Sequence, residues 1–84
     1  MNKYPIVSGK RLIRALKKAG YVIHKGRRGK GGKGSHIVIK HPTDNRKIAV
    51  VPDTSKDLAK GLLGTIRRQL KISRKEFIKI LQGS

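Results

Sequence analysis

The spacing of apolar residues predicts a helix near the start of the chain. In the segment SGKRLIRALKKAG, Leu12, Ile13 and Leu16 recur at helical spacing and would share one face. Ser8 suits the N-cap, because its hydroxyl can accept a hydrogen bond from the first turn, and Gly20 is a typical helix stop. The opposite face carries Lys10, Arg11, Arg14, Lys17 and Lys18. We therefore expect an amphipathic helix whose basic face is either solvated or binds a partner.

Three short runs rich in β-branched residues follow and predict strands. They are YVIHK, SHIVIK and KIAVV, at Tyr21–Lys25, Ser35–Lys40 and Lys47–Val51. The segment Gly26–Gly34 holds too many glycines for a helix or a strand and is expected to be a loop. The turn residues PTDN separate the second and third runs, which should form an antiparallel hairpin, and Pro52 is expected to end the third strand.

Two further helices are predicted after the strands. Leucine and isoleucine recur at helical spacing in LAKGLLGTIRRQL. In ISRKEF, Ser73 and Glu76 have the spacing of a capping box, which Ile72 and Phe77 can span as a hydrophobic staple. The order helix, three strands, helix, helix predicts an α+β fold with helices on one face of an antiparallel sheet. A chain of 84 residues is expected to form a single domain, residues 1–84.

The charge of the chain indicates what it binds. It has 22 lysines and arginines against 4 acidic residues, a net charge of +18. Such an excess destabilises the compact state unless a polyanion is near, and it favours nucleic acid over acidic proteins or membranes as the partner. The sequence has no cysteine, no signal peptide and no apolar stretch of the roughly 18 residues that a membrane span needs. We therefore expect a cytoplasmic protein without disulfides.

One histidine lies on a strand beside the glycine-rich segment. Because side chains alternate along a strand, the two isoleucines of SHIVIK should face the helices, whereas His36 and Lys40 should share the open face. An imidazole there is either a catalytic group or an ordinary surface residue. His24 and His41 have no carboxylate at a spacing typical of a metal site or a triad, and the acidic residues are scattered. No metal site is predicted.

The glycine-rich segment fits neither common nucleotide motif. Gly29, Gly31 and Gly34 match GxGxxG, but a strand follows them instead of a helix, and the spacing of a P-loop is absent. We interpret the segment as a flexible phosphate-binding element, or as a disordered basic linker that orders on nucleic acid. The candidate RNA-binding residues are Lys25, Arg27, Arg28, Lys30, Lys33, Gly34, Ser35 and Lys40, with Lys10 and Arg14 from the first helix.

Four segments resemble the HicA family of messenger-RNA interferase toxins, whose fold is similar to double-stranded-RNA-binding domains. They are SGKRLIRALKKAGY, GSHIVIKHP, VVP and KDLAKGLLGTIRRQLKISRKEF, in the family's order and over nearly the whole chain. The resemblance implies a metal-independent endoribonuclease without a cofactor, with His36 as its essential histidine, and a HicB-type antitoxin that blocks it. Two features depart from the family: the extra glycine and basic residues at Gly26–Lys33, and Asp53 and Thr54 where many members have a histidine.

The expected chemistry needs one imidazole. A neutral histidine can take the proton of an RNA 2′-hydroxyl, which then attacks the neighbouring phosphate, while nearby cations stabilise the developing charge. His36 is the candidate base, and Lys40 and the basic segment are the candidate cations. Two other classes stay open. The chain could be a non-catalytic RNA-binding module of the double-stranded-RNA type, in which His36 is only a contact, or a ribosomal or nucleoid protein.

Overall fold

The structure is a computed structural model that describes residues 4–28 and 35–83. Its helices are α1 (Gly9–Lys18), α2 (Lys60–Gln69) and α3 (Arg74–Gln82), and its strands are β1 (Val22–Arg28), β2 (Ser35–Lys40) and β3 (Ile48–Asp53). The sheet order is β1-β2-β3, and β2 pairs antiparallel with both neighbours. The predicted α+β class and order of elements are confirmed. The similarity to double-stranded-RNA-binding domains stays a prediction.

The helices cover one face of the sheet. On β3, Ala49 and Val51 are buried whereas Ile48 and Val50 are exposed, and on β2 Ile39 is fully buried. These inward residues join the apolar faces of the helices in one core, as alternation along the strands requires. The side chains with the lowest exposure are Val7, Leu12, Leu16, Ile39, Val51, Leu63, Ile66, Leu70, Phe77 and Leu81. The other face of the sheet has no helix against it among the described residues.

The predicted helix ends are confirmed by their hydrogen bonds. Ser8 Oγ accepts from the Arg11 amide at 3.1 Å, and Ser73 Oγ accepts from the Glu76 amide at 3.2 Å. Each bond satisfies an amide that has no partner within its helix. Gly20 follows α1 with φ +106°, a left-handed conformation that favours glycine.

β1 and β3 each begin one residue later than predicted and continue beyond their predicted ends. β1 runs to Arg28, so the backbone of Gly26, Arg27 and Arg28 lies in the sheet, and the rest of the predicted loop, residues 29–34, lies outside the described residues. Pairing with β2 outweighs the low strand preference of glycine there, because the ladder supplies hydrogen bonds that a loop would lack. β3 continues through Pro52 to Asp53 instead of ending at proline. An edge strand tolerates proline, since its outward amides need no partner in the sheet.

The start of α1 approaches β3 very closely. A Cβ at Gly9 would overlap the carbonyl oxygen of Pro52 and lie 3.1 Å from the Thr54 Cγ2. The Lys10 amide donates to the Thr54 carbonyl at 3.0 Å. Glycine at position 9 therefore lets the helix contact the strand that lies beside β2.

No described helix exceeds ten residues, and within 4–28 and 35–83 none has the length and apolar character needed to cross a bilayer.

Candidate active site

His36 lies on the central strand and projects from the open face. Its side chain is exposed, whereas Ile39 is buried and Ile37 packs against the core. The predicted orientation of His36 is confirmed, and its catalytic role stays a prediction. Because β2 is hydrogen-bonded on both sides, the backbone that carries the imidazole is held more firmly than an edge strand or a loop would hold it.

The surroundings of His36 are set by the sheet register. Its Cα partners are Arg27 on β1 and Pro52 on β3. The imidazole makes no hydrogen bond or ion pair to any residue in the described part of the chain. Both ring nitrogens are therefore available to a ligand that approaches the open face.

The strand ends on either side of residues 29–34 lie next to His36. Arg28, the last residue of β1, pairs with Ser35, the first residue of β2, and Ser35 precedes His36. Among the candidate RNA-binding residues, Lys25, Arg27, Arg28 and Ser35 lie on these strands by their backbones, whereas Lys30, Lys33 and Gly34 lie outside the described residues.

Lys40 shares the open face with His36 but lies at the other end of β2. The two residues are four positions apart, which corresponds to roughly 13 Å along a strand. The Lys40 ammonium donates to Asn45 Oδ1 at 3.0 Å and so points toward the hairpin turn. In this conformation the Lys40 ammonium is remote from His36, and its expected role in stabilising the phosphate under attack stays a prediction.

Lys10 and Arg14 lie on α1, on the side of the sheet opposite to His36. The Lys10 ammonium pairs with Asp53 at 3.2 Å, and Asp53 is the register partner of Ser35. Lys10 is therefore near the end of the sheet that carries His36 but on the helix side. Arg14 is exposed further along the helix. An RNA strand could contact both His36 and Lys10 only by passing around this end of the sheet.

Exposed apolar side chains form a second feature of the open face that the sequence reasoning missed. Val22, Ile48 and Val50 are 41%, 37% and 47% exposed, and Val38, the partner of Val50, lies between them on β2. We call Val22, Val38, Ile48 and Val50 the apolar strip. The segment KIAVV could have indicated this apolar surface, because it is apolar at consecutive positions, a pattern typical of a strand that is covered on both faces.

The other two histidines lie away from His36. His24 is exposed at the irregularity where β1 loses register between Ile23 and Lys25. His41 Nδ1 accepts from the Thr43 amide at 3.1 Å at the far end of β2. Within the described ranges, no cluster of three histidine or acidic side chains could hold a metal ion.

A comparison with family models finds one match. The model described as the HicA toxin of bacterial toxin-antitoxin matches residues 9–72, well over half of the chain. No curated protein and no solved structure was found to match. The matched range includes α1, the whole sheet and α2, and thus every candidate residue named above. The chain therefore belongs to the HicA family, the toxins of bacterial toxin-antitoxin systems, and its family implies an antitoxin as its partner.

Proposed function

We propose that this toxin is a metal-independent endoribonuclease that cleaves messenger RNA with His36 as its general base. The neutral imidazole takes the proton of a 2′-hydroxyl, the resulting oxygen attacks the adjacent phosphorus, and the bond to the 5′-oxygen breaks. The leaving 5′-oxygen is protonated, so that overall one proton moves from the 2′-oxygen to the 5′-oxygen. The products are a 2′,3′-cyclic phosphate and a 5′-hydroxyl end. Proton removal of this kind typically accelerates a reaction by about 10²–10⁴-fold.

The observation that carries the proposal is the exposure of His36 on the open face of a central strand. A general base must reach the proton that it removes, and an imidazole without a protein partner is free to do so. The match to the HicA family supports the same conclusion, because it makes the chain a toxin.

The basic residues supply binding and electrostatic stabilisation in this proposal. The backbones of Arg27, Arg28 and Ser35 adjoin His36, and the segment that they bound contributes Lys30, Lys33 and Gly34. These residues are the candidates for contacts to the phosphate under attack. Lys40 would hold the strand about 13 Å away. Lys10, Arg14 and Lys25 add to the positive field that attracts RNA.

The test compares two histidine variants on RNA. Purified protein is incubated with end-labelled messenger RNA in EDTA, and the fragments are analysed for cyclic phosphate ends. His36→Ala should keep RNA binding and the circular dichroism spectrum of the parent but lose cleavage by about 10²-fold or more. His24→Ala, which removes another exposed imidazole from the edge strand, should cleave like the parent. If the parent binds RNA without cutting it, the chain is a binding module of the double-stranded-RNA type instead.

The antitoxin is proposed to be of the HicB type and to cover the open face. The apolar strip lies beside His36 there, and burying it would remove apolar surface from water. A second copy of this chain is a poor occupant, because each copy carries a net charge of +18. An acidic partner both neutralises this charge and blocks RNA.

The antitoxin surface can be tested with two apolar-to-acidic variants. Val50→Asp, in the strip, should weaken binding of the co-expressed antitoxin in calorimetry, whereas Ile6→Asp should not. Ile6 is 74% exposed but lies before α1, outside the sheet. Equal binding of both variants would place the antitoxin on another surface.

A further inference from the structure

A cavity of about 380 Å³ lies at the end of the sheet furthest from the glycine-rich segment. It is bounded by His41 and Lys47 of the β2–β3 turn, by Tyr21 after α1, and by Lys71 and Glu76 around the start of α3. Its volume is in the range of small-molecule sites. His41 is five residues from His36, which corresponds to roughly 17 Å along a strand, so the cavity is separate from the proposed cleavage site.

The cavity contains hydrogen-bond donors that the protein leaves unused. His41 Nδ1 accepts from the Thr43 amide at 3.1 Å, so the proton of the neutral ring sits on Nε2 and that nitrogen is a donor. Lys47 and Lys71 line the same cavity, and neither ammonium has an ion-pair partner among residues 4–28 and 35–83. These three groups are suited to a ligand that offers acceptors, such as a phosphate.

One carboxylate in the cavity is also unpaired within the described chain. Glu76 uses its backbone amide to cap α3, and no lysine or arginine lies within ion-pair distance of its side chain. An ionised carboxylate only accepts hydrogen bonds, and it can accept two at once. Glu76 and Lys71 are exposed to solvent, and a ligand that contacts both charges needs donors as well as acceptors, which simple phosphate does not offer.

The remaining walls suit a flat ring. Tyr21 and His41 pack edge to face, with their ring centroids 5.6 Å apart, and Ile72 and Ile80 contribute apolar surface. Burial, with the negative charge of Glu76, raises the pKa of the Tyr21 hydroxyl, so the phenol keeps its proton at neutral pH. Unstacked RNA bases commonly stack on the face of one such aromatic side chain.

We propose that this cavity binds one nucleotide of the RNA strand and prefers guanine, an inference that rests on the proposed RNA substrate. Lys47 and Lys71 contact the phosphate, and the base lies against Tyr21 and His41. The carboxylate of Glu76 accepts from the N1–H and the 2-amino group of guanine, the base that offers two adjacent donors. A nucleotide held there, roughly 17 Å from His36, fixes which phosphodiester reaches the imidazole.

The experiment uses the His36→Ala protein, so that cleavage does not interfere, and follows its backbone amides by NMR. The four nucleoside 5′-monophosphates and inorganic phosphate are titrated separately. GMP should shift the amides of Tyr21, His41, Lys47 and Glu76 and bind about fivefold or more tightly than the other three. Equal binding of all four nucleotides, or shifts with phosphate alone, would overturn the preference for guanine. Shifts with a poly-glutamate peptide but not with GMP would overturn the nucleotide site in favour of a protein partner.

Matched variants locate the effect within the cavity. In the same background, Glu76→Gln should reduce GMP affinity to that of the other nucleotides, because glutamine accepts at one end and donates at the other. Lys71→Gln should weaken all four, whereas Lys75→Gln, an equal loss of charge outside the cavity, should change none of them. An equal effect of the two lysine variants would contradict a phosphate contact in the cavity. These titrations need no cleavage, so they test the cavity even if the protein proves not to be a nuclease.

Discussion

The close approach of α1 to β3 makes Gly9→Ala the sharpest test of how the fold supports His36. The added methyl would overlap the carbonyl oxygen of Pro52, a backbone atom that no rotamer change can move away. The first turn of α1 must therefore shift from β3. The shift strains the bond from the Lys10 amide to the Thr54 carbonyl, now 3.0 Å long.

The expected magnitude follows from two opposing effects. Overpacking costs about 1–3 kcal/mol, and weakening one backbone hydrogen bond costs about 0.5–1.5 kcal/mol. Replacing glycine with alanine in a helix returns at most about 1 kcal/mol. We expect Gly9→Ala to lower the free energy of unfolding by about 1–3 kcal/mol, a large share for so small a domain.

Urea denaturation followed by circular dichroism measures this change, with Gly61→Ala as the control. Gly61 lies in α2, and an added Cβ there would meet nothing within 4 Å. Gly61→Ala should therefore leave the protein equally stable or more stable by up to about 1 kcal/mol. Since Pro52 is the register partner of His36, Gly9→Ala should also slow RNA cleavage under conditions where it is folded. Equal unfolding midpoints for the two variants would refute the reasoning.

Four further outcomes are expected. Tyr4→Phe removes the hydroxyl that accepts the 2.9 Å hydrogen bond from Arg67 Nε, and it should lower the free energy of unfolding in urea by about 1–3 kcal/mol. Tyr21→Phe should lower it less, because the Tyr21 hydroxyl has no hydrogen-bond partner in the described chain. Asp53→Asn removes the partner of the Lys10 ammonium and should change the free energy of unfolding by less than about 1 kcal/mol. It should raise RNA affinity in fluorescence anisotropy, and unchanged or weaker binding would contradict the inference that positive charge attracts the RNA. Because the native pKa of Tyr21 is raised above 10.0, the folded state keeps this proton longer than the unfolded state; stability should fall as the pH rises above about 10, and less so in Tyr21→Phe. RNA affinity should fall with salt with a logarithmic slope of roughly −4 if about five phosphates are neutralised, and a flat response would exclude backbone binding.

Local signals were sufficient to predict most of the fold. The N-caps at Ser8 and Ser73 and the stop at Gly20 act within one turn of chain, so they can be read from the sequence without knowing the tertiary structure. The orientation of His36 was likewise predictable, because alternation on β2 depends only on which side the isoleucines face. The same argument placed Lys40 on the open face.

Features that depend on distant partners were not predictable. The extension of β1 to Arg28 depends on pairing with Ser35, since the glycine content of that segment by itself indicates a loop. The cavity at His41 joins a turn, the end of one helix and the start of another, which are far apart in sequence. The hydrogen bond from the Lys40 ammonium to Asn45 Oδ1 likewise depends on how the hairpin turn folds, and it directs this side chain away from the His36 end of β2.

In the proposed function, the open face meets two partners with opposite requirements. RNA must reach His36, which favours a bare, positively charged surface, whereas a tight protein inhibitor gains most from apolar contact. The apolar strip extends over all three strands, and the basic candidates of the sheet lie on β1 and β2, so one surface can serve both partners but not at the same time. Val50→Asp should therefore weaken the antitoxin more than it weakens RNA. A variant that lost both partners equally would indicate that the sheet itself had been disturbed.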